Sequence, residues 1–151
     1  MLYTLTELTN SITTHTFPPL PSPPTHTHIT STLSEPFESM LAAEILIPTP
    51  NPTFPHPYLY VSNRNDPRPA GDTIAIFSLA DKAKPLLVNE VPTGLRHLRG
   101  IEFGGPGDKW LVAGGVKGGG VKVFERTAGG KNLEIVAENQ TIEAPTGFLW
   151  L

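Results

Sequence analysis

One strand pattern is written three times into this chain. Leu2-Tyr3-Thr4-Leu5-Thr6-Glu7, Leu59-Tyr60-Val61-Ser62-Asn63-Arg64 and Trp110-Leu111-Val112-Ala113-Gly114-Gly115 align with one another, at intervals of roughly 50 residues. Each copy is followed by a turn and a second strand that ends at an aromatic residue, Phe17, Phe77 or Phe124. A third strand and a connection lead into the next copy. Repeats of this length cannot bury an apolar face alone, so neighbours must stack. Four short antiparallel strands per repeat make one blade of a β-propeller, and the chain is expected to be all-β.

The remaining strand signals agree with this frame. Thr73-Ile74-Ala75-Ile76-Phe77, Leu86-Leu87-Val88, Gly100-Ile101-Glu102-Phe103, Val121-Lys122-Val123-Phe124, Leu133-Glu134-Ile135-Val136 and Phe148-Leu149-Trp150-Leu151 are apolar, β-branched or aromatic runs. Glu38 to Leu46 holds good helix formers but overlaps Glu44-Ile45-Leu46-Ile47, and reads as a loop entering a strand. Most of the 17 prolines lie between Pro18 and Pro57, where long irregular connections are expected; the glycines concentrate from Gly94 onward, as in tight turns. The first copy is expected to lack its innermost strand within these residues. The expected division is a partial blade with a Pro-rich loop over 1–40, a blade over 41–93, and a last blade with a closing strand over 94–151.

At about 45 residues per blade, a seven-bladed ring needs on the order of 300 residues. The 151 residues here suffice for about two and a half blades. Isolated blades leave faces and strand edges open, so self-association through those edges is expected.

Composition removes several classes of function. The net charge is −3 and no lysine or arginine cluster tracks a phosphate backbone, so no nucleic-acid partner is expected. There is no cysteine, which excludes disulfides, thiolate metal sites and a cysteine nucleophile. No apolar run reaches the ~18 residues of a membrane-spanning helix. Met1 to Glu7 alternates apolar and polar residues, unlike a signal peptide, and the expected location is the cytoplasm.

Tyr58-Leu59-Tyr60-Val61-Ser62-Asn63-Arg64-Asn65 followed by Asp72-Thr73-Ile74-Ala75-Ile76-Phe77 resembles the Tyr-Val-Ser-Asn-Arg … Ser-Ile-Ala-Val-Phe signature of the seven-bladed lactonases. Val91-Pro92-Thr93-Gly94 with His97-Leu98-Arg99-Gly100 is similar to their Pro-Thr-Gly-Gly … His-Pro-Arg segment, and Tyr3 to Leu8 to their Tyr-x-x-Asn-Glu-Leu. Leu98 stands where the family has Pro, and Thr6 where it often has Asn. The resemblance covers nearly the whole chain, as the carboxyl-terminal part of such a propeller. It implies 6-phosphogluconolactonase or carboxy-cis,cis-muconate cyclase chemistry, with a small anionic lactone or muconate as substrate and no cofactor or metal. Gly118-Gly119-Gly120-Val121-Lys122-Val123-Phe124-Glu125-Arg126 and the Pro-rich connection look closer to the cyclase-like branch.

The repeat places Glu7, Arg64 and Gly115 at equivalent strand ends, on one face of the propeller. A carboxylate there can activate water or move a proton. A guanidinium can grip an anionic substrate or stabilise a developing oxyanion. The resembled cyclases combine a histidine, two arginines and a glutamate; Glu7 and Arg64 match the glutamate and one arginine, as the catalytic candidates. The other two members belong to blades this chain lacks. His97 and Arg99 are candidate substrate contacts, with a turn histidine and a blade-bracing arginine as the plainer readings. A non-catalytic fragment or scaffold is the competing function.

Three other patterns read as structural. His26 and His28 would share a strand face, without a third metal ligand. Gly114 to Gly120 lacks the Gly-Lys-Ser/Thr ending of a phosphate loop and reads as a hairpin. Phe77, Trp110, Phe124 and Trp150 read as packing between blades.

Overall fold

The computed structural model describes residues 1–151 and contains eleven strands and no α-helix. They are β1 (Leu2–Thr6), β2 (Ser11–Thr16), β3 (Thr25–Ser31), β4 (Leu41–Leu46), β5 (Tyr58–Arg64), β6 (Thr73–Ser78), β7 (Leu86–Pro92), β8 (Arg96–Gly104), β9 (Trp110–Gly118), β10 (Gly120–Thr127) and β11 (Asn132–Asn139). Every pairing is antiparallel and joins neighbours in the chain. The result is three separate sheets, β1-β2-β3, β4-β5-β6-β7 and β8-β9-β10-β11.

The sheets stack face to face, with the second in the middle. Its strands are therefore apolar on both faces, which is why Tyr58 to Val61 and Ile74 to Phe77 read as continuous apolar runs. Strand alternation divides them. Leu59, Val61, Ala75 and Phe77 join Ile12 and Ala42 in the seam with the first sheet. Tyr58, Tyr60, Ile74 and Ile76 join Ile101, Phe103, Leu111 and Phe124 in the seam with the third. Burying a side chain such as Phe77 or Phe124 contributes about 2–3 kcal/mol, so these two seams hold the stack together.

Polar groups lock the second seam. Arg126, in β10, is 4 % exposed and has no carboxylate partner. Its Nε donates to the Tyr60 hydroxyl (3.2 Å) and one terminal nitrogen donates to the Asp108 carbonyl (3.0 Å). Its guanidinium lies 3.9 Å from the centre of the Phe54 ring. The Tyr60 hydroxyl in turn donates to the Gly130 carbonyl (2.6 Å). Burial pushes the Tyr60 phenol above its ordinary range, against the opposing pull of Arg126.

The segment from Glu38 is, as expected, a loop entering a strand, β4, whose first residue is Leu41. Other local expectations change. Phe148–Leu151 is not a strand and joins no ladder. Instead Pro145 and Phe148 lie over Gly114, and the Trp150 ring covers Gly104. A bulge at Thr14/His15 pairs His28 with Thr14 and His26 with His15, so the two imidazoles do not share a face. The His26 ring meets the edge of the His15 ring at 5.6 Å. Phe77 and Phe124 pack between sheets as expected, whereas Trp110 and Trp150 join neither core cluster and Trp150 is 38 % exposed. Gly114 to Gly120 does form the β9–β10 hairpin.

Candidate functional site

At one end of the stack, each sheet sends one polar side chain to a common point. Glu7 follows the last residue of β1. Its carbonyl accepts the N–H of Ala42 in β4 (3.3 Å), which ties the first sheet to the second at this spot. Arg64 is the last residue of β5 and pairs with Leu41. His97 is the second residue of β8. One terminal nitrogen of Arg64 bonds the Glu7 carboxylate, and the other donates to His97 Nε2 (3.0 Å). The guanidinium thus spans all three sheets. It is 8 % exposed, and its Nε finds no acceptor. Glu7 remains half exposed, with 51 % of its side chain accessible.

His97 occupies this position because β8 is irregular where it begins. The β8–β9 register shifts between Arg96 and Leu98, and again between Leu98 and Ile101. Bulges of this kind redirect side chains. His97 itself has φ +58°, a region uncommon for residues other than glycine. Buried polar groups support this shape. The Asp72 carboxylate, fully buried, accepts the Asp66 N–H (2.9 Å) and the Leu98 N–H (2.7 Å). Arg96 donates to the Asp66 and Pro69 carbonyls (2.8 and 3.1 Å). Glu44, from β4, accepts the Ile101 N–H freed by the second bulge (2.8 Å). The loop 65–72 and the start of β8 are therefore one knitted unit.

Asn65 completes the group. It follows Arg64 with φ +64°, and its Oδ1 accepts the His97 Nδ1–H (2.8 Å). That bond sets the tautomer, leaving Nε2 as the acceptor that faces Arg64. Burial, then the charges of Arg64, Lys117 and Arg99, hold the His97 imidazole below its ordinary range; Asp72 opposes them weakly. The neutral ring, a cation and a half-exposed carboxylate stand in one chain, Asn65–His97–Arg64–Glu7.

The sequence-derived residues meet this geometry unevenly. Glu7, Arg64 and His97 come together. Arg99 is exposed and makes no hydrogen bond or ion pair, although its charge is felt at His97. Gly115, the third strand-end position, cannot carry a side chain. A Cβ there would stand 2.0 Å from the Gly118 carbonyl oxygen and 2.9 Å from the Arg96 nitrogen. The third sheet contributes through its inner strand instead. Asn65 and Lys117 escaped the sequence reading; an asparagine directly after a strand-end arginine was the available signal, since asparagine tolerates the left-handed region.

A carboxylate and an arginine at the rim of stacked three- and four-stranded antiparallel sheets define the class: stacked blades of a β-propeller with a polar cluster where the blades meet. The sequence matches the family described as "Lactonase, 7-bladed beta-propeller" over residues 1–150, and the chain belongs to that family. No curated protein matches it. Among solved structures it is similar to a protein from Lactobacillus plantarum (TM-score 0.77, 18 % identity, covering 96 % of this chain and 40 % of that one). It is also similar to a putative 6-phosphogluconolactonase from Bacteroides fragilis (TM-score 0.76, 17 % identity, 96 % and 37 %). A third is the periplasmic gluconolactonase of Pseudomonas aeruginosa (TM-score 0.72, 13 % identity, 93 % and 36 %). At these identities the likeness is one of fold, and the chain spans 36 % to 40 % of the length of these proteins.

Proposed function

We propose that the Glu7–Arg64–His97 cluster is part of a site for small anionic lactones, of the 6-phosphogluconolactone or carboxymuconate type. The single observation that supports this reading most is the meeting of one polar group from each of three sheets on a buried guanidinium. Arg64 would hold a substrate carboxylate or phosphate, or the oxygen on which charge develops when the lactone ring opens or closes. Glu7 is the accessible member and would move the proton or activate water. His97, kept neutral, holds Arg64 in place while leaving its charge undiminished. Hydrolysis and cyclisation call on the same groups.

Purified protein assayed against 6-phosphogluconolactone and carboxymuconate tests this. Glu7→Gln is expected to lower kcat/KM by about 10²-fold or more. Activity within a few-fold of the unsubstituted chain would remove Glu7 from the reaction.

The second reading is a non-catalytic propeller segment or scaffold. Its support is the coverage, since the chain spans 36 % to 40 % of the length of similar folds. Turnover by the purified 151-residue chain would overturn it.

A further inference from the structure

Burial does not fix the Glu7 side chain, which is half exposed, and a screened ion pair to Arg64 does not hold a carboxylate in register. The backbone of Glu7 is fixed instead. The β1–β2 connection turns at Glu7–Asn10, where the Asn10 N–H donates to the Glu7 carbonyl (3.4 Å) and Asn10 takes φ +46°. That turn is tied inward at two points. Asn10 Nδ2 donates to the Met40 carbonyl (2.7 Å), just ahead of β4. The Asn10 carbonyl accepts both the N–H (2.8 Å) and the hydroxyl (3.2 Å) of Thr32, just after β3.

The same Thr32 leads to the other half of the ion pair. Its carbonyl accepts a bond from Nδ2 of Asn63 (3.0 Å), the residue before Arg64 in β5. Thr32 and Asn63 are fully buried, and Met40 nearly so. A closed circuit results, from Glu7 through Asn10, Thr32 and Asn63 to Arg64 and back to Glu7. The links through Thr32 lie in the buried seam between the first and second sheets, where a hydrogen bond is electrostatically stronger than in water.

Both amides are used at one end only. Asn10 Oδ1 and Asn63 Oδ1 are buried and have no donor. An orphaned acceptor costs stability, so these amides are poor choices for packing alone. Breaches of this kind gather at functional sites. We propose that Asn10 and Asn63 are positioning residues, which act through Thr32 to set the Glu7 carboxylate against Arg64. The assignment rests on the lactone-site reading above, because it takes Glu7 as the group that moves the proton. A misplaced carboxylate slows the chemical step, while Arg64, held separately by His97, still binds the substrate.

Asn10→Gly and Asn63→Leu test this. Glycine suits the turn at φ +46° and removes only the side-chain bond to Met40. Leucine has the branched shape of asparagine and removes the bond to Thr32. Each is expected to lower kcat about 10-fold while KM stays within about 2-fold. In a Glu7→Gln background neither is expected to lower kcat further, since both act through that carboxylate. Variants that lose stability in urea but keep kcat would overturn the proposal, as would losses that multiply with that of Glu7→Gln. The Arg64 side-chain Nε–H signal in nitrogen-15 NMR gives a readout independent of turnover. Glu7→Gln is expected to shift it, and Asn10→Gly to shift it in the same direction. A signal left in place by Asn10→Gly overturns the proposal even where Asn63→Leu fails to fold. Absence of turnover on either substrate by the unsubstituted chain would strike the reading above, and the Arg64 signal then decides by itself whether Asn10 sets Glu7 against Arg64.

Discussion

His97 and Asn65 meet in a 2.8 Å hydrogen bond while both hold left-handed backbones, at φ +58° and +64°. Two adjacent departures from ordinary geometry converge on one bond, and that bond orients the imidazole that steadies Arg64. The conformation is maintained by the buried Asp72 carboxylate, which grips Asp66 and Leu98 on either side. Strain concentrated this way is common where side chains must be aimed.

The two costs at Asn65 can be separated. Asn65→Gly keeps the backbone and loses the bond to His97, with an expected loss of about 1 kcal/mol. Asn65→Ala loses the same bond and leaves a Cβ in the left-handed region without the local polar side chain that makes asparagine tolerant of it, for a total of about 2 kcal/mol or more. Urea denaturation of both variants checks this. Equal losses would mean that position 65 relaxes to another backbone shape.

His97 makes stability depend on pH in a definite direction. Its native pKa lies below the ordinary value of 6.5, so the folded chain binds fewer protons there than the unfolded one. The stability it contributes is complete above about 6.5 and is lost as pH falls through the lower native value. His97→Asn, which also suits a left-handed backbone, is expected to flatten that slope. Thermal melts of both proteins between neutral and mildly acidic pH give the difference, which cancels the other histidines. Parallel curves would contradict the shift.

The Glu7–Arg64 ion pair is expected to matter little for folding. Glu7 keeps 51 % of its side chain in solvent, and such pairs are screened. A double-mutant cycle with Glu7→Gln and Arg64→Met should give a coupling of about 0.5–1 kcal/mol. Coupling several times larger would recast Glu7 as a structural strut and weaken its assignment to proton transfer.

Arg126 is the opposite case. Buried against the Tyr60 hydroxyl, the Asp108 carbonyl and the Phe54 and Phe103 rings, it holds the seam between the second and third sheets. Arg126→Met removes two charged hydrogen bonds and a desolvated ring contact, with an expected loss of about 3 kcal/mol. Chemical denaturation measures it. A loss under about 0.5 kcal/mol, typical of surface positions, would refute the role of this arginine in the seam.

Much of the architecture is legible in the residues. Tyr58 to Val61 and Ile74 to Phe77 are legible as strands from their aromatic and β-branched residues, while their cover on both faces emerges from the stack. The thrice-repeated strand placed Glu7 and Arg64 at equivalent ends, and those ends do coincide in space. His97 was visible as a candidate, but its role was not. A turn histidine and a site histidine have the same sequence neighbours, and two register shifts in β8 decide between them.

The sequence by itself determined the strand period and which strand ends would share a face, since side-chain alternation and repeat spacing are local properties. Tertiary structure alone decided that Arg64 would be held by His97, that Asn65 would orient that histidine, and that Gly115 would admit no side chain. It also decided that Phe148–Leu151 would lie against β8 without pairing. Each of these depends on which segments meet across a seam, and a bulge changes that without altering any local pattern.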